Sequence, residues 1–266
     1  MRILAIGDPH GALAKIKNIQ LASIDLILLT GDLGKADLAR KQSFENWDRK
    51  QKGLPELKST AKQVRDIHNE IHTSTLDILK YLSKRAPVYT LQGNVGIPTV
   101  PQVRKSYEKH NISLPITRQH VDAMLNVSLI KNRLRLLAGL RVGFLEYFTD
   151  TCWVREFKPK EYQKAMKKAK LETDKAKSVL ERFGDNLDVL VCHQPPFGFL
   201  DKVTWDKAPK EYQGKHAGSK AILDYIKKHQ PKFVFCGHIH EGEGFVKIGK
   251  TEIYNLGVAG HKIVEL

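Results

Sequence analysis

Short apolar runs, each cut off by a polar or glycine-bearing turn, recur along the chain. Ile3 to Ile6 runs into Gly7-Asp8, Ile24 to Thr30 into Gly31-Asp32, and Val88 to Leu91 into Gln92-Gly93-Asn94. Leu187 to Cys192 stops at His193, and Phe233 to Cys236 stops at Gly237-His238. Apolar runs of about four to eight residues between turn residues predict buried strands. Between them the period lengthens. Val64, Ile67, Ile71, Ile78 and Leu82 recur at helical steps, which predicts an amphipathic helix from about Ser59 to Lys84. Asp37 to Lys52 predicts a shorter helix, broken by Gly53-Leu54-Pro55. This 37–85 excursion is longer than an ordinary strand-to-helix connection and predicts a helical cap near the ligand crevice.

From Asn126 to Phe148 the pattern turns β-like. Val127 to Ile130, Leu134 to Ala138 and Leu140 to Leu145, separated by Asn132-Arg133 and by Gly139 or Gly143, predict hairpins in a sheet. Tyr162, Met166, Ala169, Thr173, Ala176, Leu180 and Phe183 then mark a helix over 158–183. Ser219 is a suitable N-cap for a helix carrying Ile222, Leu223, Tyr225 and Ile226. Gly244 to Ile248, Glu252 to Leu256 and Lys262 to Leu266 predict closing strands. Strands alternating with helices give an α/β fold. At 266 residues the expectation is one domain over 1–266, with excursions at 37–85 and 158–183.

No apolar run approaches the roughly 18 residues of a membrane span, and Met1 to Ile6 reads as a first strand, not a signal peptide. Cys152, Cys192 and Cys236 lack metal-ribbon or disulfide spacing. The expected location is therefore cytoplasmic, without a membrane partner, and Cys192 and Cys236 read as small buried strand residues. The 44 Lys and Arg against 29 Asp and Glu give a net charge of +15, which attracts polyanions such as nucleic acid or nucleotides. Lys160, Lys164, Lys167, Lys168, Lys170, Lys175 and Lys177 concentrate that charge on the 158–183 helix. A solvated helix face explains the same residues equally simply.

The strand-ending turns hold the chemistry. In open α/β sheets the ligand crevice lies beyond the carboxyl ends of the strands, so residues distant in sequence converge there. Asp8, Asp32 and Asn94 offer oxygen, and His10, His193, His238 and His240 offer imidazole, a donor set suited to borderline divalent metals. With one carboxylate shared, seven donors suffice for two cations about 3.5 to 4 Å apart, which can bracket a displacement at phosphorus. Gly31, Gly93 and Gly237 each precede a donor, where a missing Cβ permits close backbone approach.

In order and spacing, Asp8-Pro9-His10, Gly31-Asp32, Gly93-Asn94-Val95-Gly96, His193 and Gly237-His238-Ile239-His240 resemble the calcineurin-like metallophosphoesterase signature. That signature reads D-x-H, G-D, G-N-H-[DE], a lone His and G-H-x-H. The resemblance implies a four-layer α/β/β/α sandwich with two mixed sheets flanked by helices. It implies a first metal on Asp8, His10 and His240, a second on Asn94, His193 and His238, and Asp32 bridging them. Manganese heads the implied metals, with iron, zinc, cobalt and nickel as alternatives. The implied activity is hydrolysis of a phosphate ester, a diester before a monoester, through attack by a metal-bridging hydroxide.

The chain departs from the signature at one turn. The family's His and acid after G-N, which assist the leaving group, are here Val95 and Gly96, and neither donates a proton. His193-Gln194-Pro195-Pro196-Phe197-Gly198 and His216-Ala217-Gly218-Ser219 are similar to a subgroup of small Icc-like prokaryotic phosphoesterases. In that light His216 is the candidate substitute, placed at a helix N-terminus whose backbone N–H groups would suit a phosphate. Asn94, His216 and Phe197 are the expected substrate contacts, with Phe197 on the crevice wall. The competing reading, favoured by Val95 and Gly96, is a non-catalytic scaffold or polyanion-binding protein that keeps the metals. His68 and His72, four apart on a helix, are expected to be solvated. The oligomeric state is left open.

Overall fold

Along β1 (Arg2–Ile6) Ile3 and Ala5 point one way and Leu4 and Ile6 the other, and all four are fully buried. A strand buried on both faces has to lie between two layers. The computed structural model, which describes residues 1–206 and 208–266, shows those layers. β1, β2 (Leu26–Leu29), β3 (Val88–Thr90), β4 (Val127–Leu129) and β11 (His261–Glu265) form one sheet in the order β11-β1-β2-β3-β4. β5 (Arg133–Leu137), β6 (Leu140–Leu145), β7 (Val189–Cys192), β8 (Phe233–Cys236), β9 (Gly244–Ile248) and β10 (Thr251–Asn255) form the other, in the order β5-β6-β7-β8-β10-β9. Both sheets are mixed: the inner pairings are parallel, while β11, β5 and β9 run antiparallel to their neighbours.

Between the sheets, Ile3, Ala5 and Leu28 meet Val142, Phe144, Val191 and Phe235. The opposite faces are covered by helices. Leu4, Ile6, Ile27 and Leu29 pack with Ile16 of α1 (Leu13–Lys17) and with Leu76, Leu79 and Leu82 of α3 (Ala61–Ser83), with Val121 of α5 (Thr117–Asp122) in the same cluster. Leu190, Cys192, Val234 and Cys236 pack against α7 (Tyr162–Phe183) and α8 (Lys220–His229). The result is the expected α/β/β/α sandwich, with Cys192 and Cys236 buried on its helix side.

The helical cap segment contains α2 (Asp37–Gln51) and α3, and α3 opens on a Thr60–Gln63 capping box. Phe44 of α2 lies 5.4 Å from the Trp205 ring, and the Trp205 amide donates to Glu241, the neighbour of His240. Residues 97–125 form α4 (Val100–His110) and α5, for which the apolar pattern gave no warning. α4 is short and has no buried residue, and only Val100, Val103 and Tyr107 stand at helical spacing in it, too few to mark a helix in the sequence.

Several expectations change. β5 and β6 make a hairpin that turns at Ala138-Gly139, both at positive φ. β4, however, pairs with β3 in the other sheet, because the chain crosses between sheets after Ile130. Gly143 is not a turn but sits inside β6, where the Phe183 ring comes within 2.8 Å of the position a Cβ would take. The 158–183 helix starts at Tyr162; Lys158, at φ 43°, ends a separate α6 (Thr151–Phe157). His68 and His72 are packed rather than solvated, bonded to Pro115 O at 2.6 Å and to Thr117 Oγ1 at 2.8 Å.

One buried carboxylate joins two helix starts. Asp150 accepts from Cys152 N at the head of α6 and from Ser219 Oγ and Ala221 N at the head of α8, at 2.7 to 3.1 Å. Burial would raise its carboxyl, but these donors outweigh that and hold it below the ordinary carboxylate value. Asp150→Ala is expected to cost about 3 kcal/mol in urea unfolding at neutral pH. A depressed native pKa contributes stability above the unfolded value and loses it as pH falls. The gap between wild type and variant should therefore close below about pH 4.

Candidate metal centre

β1, β2 and β3 run parallel in one sheet and β7 and β8 in the other. Their carboxyl ends deliver Asp8, Asp32, Asn94, His193 and His238 to one crevice. Asp8, His10 and His240 each present a donor atom within 4.8 Å of one another, and so do Asp8, Asp32 and His193. Asn94 joins the second group: its Oδ1 lies 2.7 Å from His193 Nε2 and 2.9 Å from His238 Nδ1. Asp32 Oδ2 stands between the groups, 3.6 Å from His10 Nε2 and 3.7 Å from His193 Nε2. The structure thus brings all seven sequence-predicted donors together.

The backbone is bent to do this. His10, Asp32 and His238 adopt φ of 42°, 38° and 64°, left-handed values that cost a side-chain-bearing residue energy and persist where surroundings impose them. Gly93 and Gly237 permit the closest approach: a Cβ on Gly93 would collide with the Asp32 carboxylate, and one on Gly237 with Asp8. The remaining hydrogen bonds orient the donors. Thr30 Oγ1 donates to Asp8 Oδ1 at 2.5 Å, and the Thr30 carbonyl accepts from His193 Nδ1 at 2.9 Å, leaving Nε2 for the crevice. Val95 N donates to Asp32 Oδ1 at 2.8 Å, and His238 N to Asp8 Oδ2 at 2.6 Å.

Charge in this crevice is strongly perturbed. Burial would raise Asp8, but His193, His240 and Thr30 outweigh it and hold the carboxyl well below the usual range. Burial, reinforced by the Asp8 charge, pushes Asp32 up to about 6. Burial lowers His10 to about 4, and burial together with His193 lowers His238 to about 3, so both imidazoles are neutral near pH 7. For His193, burial acts downward, but the Asp8 and Asp32 carboxylates and the Thr30 carbonyl raise it overall.

These residues fit divalent cations. Both ring nitrogens of His10 are buried without a hydrogen-bond partner, a cost that a cation at Nε2 would remove. The 3.6 and 3.7 Å separations around Asp32 Oδ2 are too long for good hydrogen bonds and suit donors sharing a cation. Carboxylate, amide oxygen and imidazole together favour manganese, iron, zinc, cobalt or nickel over calcium or magnesium.

Three groups at or near the site went unread in the sequence. Tyr147 packs its ring 5.0 Å from His238 and 5.8 Å from His193, just past the end of β6. Its position matches that of the donors, but a search for metal ligands passes over tyrosine. Thr30 ends an apolar run, and nothing local marks it as the brace of both Asp8 and His193. Asp201, fully buried, accepts from His216 Nδ1 at 2.7 Å and from Gly198 N and Gly218 N at 2.9 Å.

His216 and Phe197 lie together, their rings 5.5 Å apart, and neither makes a hydrogen bond or ring contact with the seven donors. Their loops are nonetheless tied to them: Asn255 Nδ2 donates to both Leu200 O and Ile239 O, joining the Asp201 segment to the residue between His238 and His240. The expected phosphate contact at the helix start is corrected. At the head of α8, Ala221 N is taken by Asp150 and Ile222 N by Ser219 Oγ. At the other departure, Gly96 faces the Gln92 amide, which fills the space a side chain there would need.

The chain matches the model of the calcineurin-like phosphoesterase family over residues 1–242. Metallophosphoesterase domain-containing protein 1 of Homo sapiens is 34% identical over 88 residues, 32% of this chain and 25% of that protein. A UPF0046 protein of Caenorhabditis elegans is 32% identical over 78 residues, 29% of this chain and 26% of its own length. The matched stretch thus spans about a quarter of these relatives. The fold is similar to that of phosphopantetheinyl hydrolase from Mycobacterium tuberculosis, with a TM-score of 0.56 and 15% identity, covering 97% of this chain and 89% of that one. No helix among the described residues is long and apolar enough to cross a membrane.

Asp32 and His193 are the donors held most easily protonated, so cation uptake must displace protons from them. Affinity for manganese, titrated by calorimetry into chelator-treated protein, is expected to fall as pH drops through about 6. Proton release on binding should be larger at pH 6 than at pH 8, and an uptake independent of pH over that range would contradict the assignment.

Proposed function

This chain belongs to the calcineurin-like phosphoesterase family, a family of dimetal-dependent phosphoric ester hydrolases, and from that premise we propose a phosphodiesterase that works with manganese. Asp8, His10 and His240 would hold one cation and Asn94, His193 and His238 the other, with Asp32 available to both. The observation that carries this reading is the position of Asp32 Oδ2 between His10 Nε2 and His193 Nε2. Such a pair of cations, when bound, makes an activated water nucleophile available at neutral pH and offsets charge gathering on the phosphoryl oxygens.

The chain's own residues do the rest. Thr30 fixes both Asp8 and His193, which keeps the donors aimed before a substrate arrives. The Val95 amide holds Asp32, but the Val95 side chain offers nothing to a leaving group. His216 is the proton donor we assign in its place: Asp201 accepts from its Nδ1 and orients the part-exposed ring, and the imidazolium form carries on Nε2 the proton that would pass to the leaving oxygen, leaving a neutral imidazole. This pairing has the form in which a buried carboxylate orients a histidine for proton transfer. The preference for a diester is supported by the +15 charge, which favours substrates carrying further anionic groups.

Wild type supplied with manganese is expected to carry about two ions per chain and to hydrolyse bis(p-nitrophenyl) phosphate. Asp32→Ala should abolish that turnover and reduce bound metal. Bound metal without any turnover would instead leave the scaffold reading, which Val95 and Gly96 favour.

Leaving-group assistance gives a separate expectation. His216→Gln should slow diesters with poor alkoxide leaving groups by about 10² or more while changing activated aryl diesters little. Val95→His in that background should restore part of the loss. Equal effects on both substrate types would remove His216 from the mechanism.

A further inference from the structure

Tyr147 is a wall shared by two spaces. One face of its ring lies against His193 and His238; it also lines a groove of about 760 Å³ between the end of β6 and α7. That volume falls within the range of sites that hold small organic ligands. The floor is apolar, formed by Leu145, Ala176 and Val179, and the rim is basic, formed by Lys131, Lys168, Lys175 and Arg182. A smaller hollow sharing Asn132 and Arg182 continues the groove to Arg133.

The rim charges differ in how far they are already committed. Lys131 pairs with Glu146 at 3.9 Å and Lys168 with Glu172 at 3.6 Å, while Glu172 also accepts from Thr149 N. Lys175, Arg182 and Arg133 have no acidic partner within salt-bridge distance among the described residues. Lys175 and Arg182, seven residues apart on α7, and Arg133 in the adjoining hollow give the groove three uncommitted cations, which suit a ligand with more than one anionic group. The part-buried Tyr147 ring in the same lining offers these cations a flat apolar neighbour, which an inorganic anion would leave uncovered. A chain alternating flat apolar bodies with phosphates satisfies both features.

We propose that this groove binds the nucleoside phosphate units of a single-stranded oligonucleotide whose scissile diester lies at the metal centre, beyond Tyr147. The inference rests on the phosphodiesterase reading and deepens it by naming the substrate class. Neither Lys175 nor Arg182 makes a hydrogen bond or ion pair with the metal donors, so replacing them leaves the donor contacts in place.

The test uses the full chain, stripped of metal, with a fluorescein-labelled single-stranded hexanucleotide followed by anisotropy across a salt series. The double variant Lys175→Glu/Arg182→Glu should weaken binding by on the order of tenfold or more. It should also flatten the salt dependence by about 1.4 in the log–log slope, the value for two lost phosphate contacts on a single strand. Lys170→Glu/Lys177→Glu, on the same helix but outside the groove lining, should change binding much less. Manganese-supported hydrolysis of bis(p-nitrophenyl) phosphate, too small to span the groove, should stay within about twofold of wild type in both variants.

Equal weakening by the two variant pairs would show diffuse attraction to a basic surface and overturn the groove. So would competition by tripolyphosphate as strong as that by unlabelled hexanucleotide, which would mark a generic anion track. Wild type that binds the hexanucleotide in the groove but never hydrolyses the aryl diester would sink the phosphodiesterase reading and leave the binding site standing. Hydrolysis with no groove effect would do the reverse.

Discussion

Two carboxylates, Asp8 and Asp32, are held in one buried crevice, and the rest of the site is arranged around their mutual repulsion. Burying a single unpaired carboxylate is costly, and burying two side by side is costlier still. The chain meets this with His193, with the Thr30 hydroxyl and with two backbone amides, those of Val95 and His238. These are not enough to keep both carboxyls ordinary, which is why Asp8 is driven down while Asp32 is driven up. A cation pair resolves the conflict that the protein atoms leave. The left-handed turns at His10, Asp32 and His238 are the strain accepted in holding that unresolved arrangement ready.

Much of this was legible in the residues because strand ends are marked twice, by the apolar run that stops and by the turn that stops it. Asp8, Asp32, Asn94, His193 and His238 all sit at such points; the two-residue step to His240 suggests an extended turn with both rings on one side, but the left-handed His238 sends them to different donor groups. Ser219 was readable as a cap because its side chain bonds locally, to Ile222 N. What was not readable depends on partners far away in sequence. Nothing local tells β4 to join β3 instead of β5, since the choice is made by which sheet buries Val127. Tyr147 is ordinary until two histidines arrive beside it. Asp201 resembles any loop aspartate until Gly198, His216 and Gly218 converge on it.

The turn after β3 shows how a substitution is absorbed. The Gln92 amide points toward Ile97 O and occupies the room beside Gly96. The backbone contribution of this turn to Asp32 is kept through Val95 N, so donor geometry and leaving-group chemistry are separable here. The loop after β7, which carries Asp201 toward our proposed donor His216, is pinned to the His238 turn by Asn255. The start of α8 plays no such part, since Asp150 and Ser219 already occupy its first amides.

β1, which carries Asp8, is flanked by β2 on one side and by β11 on the other, so a strand near one end of the sequence is paired with a strand near the other. Glu265 pairs with Arg2, and Ala259 N donates to the Asp8 carbonyl. Loop-closure entropy must be met before such distant contacts return anything, which makes this pairing costly to form. On a ribosome, the sheet beneath Asp8 would stay open-edged until residues 261–265 emerged. The crevice therefore has its full shape only once residues 259–265 have joined β1, so the Asp8 side of the metal centre depends on a segment about 250 residues away in sequence.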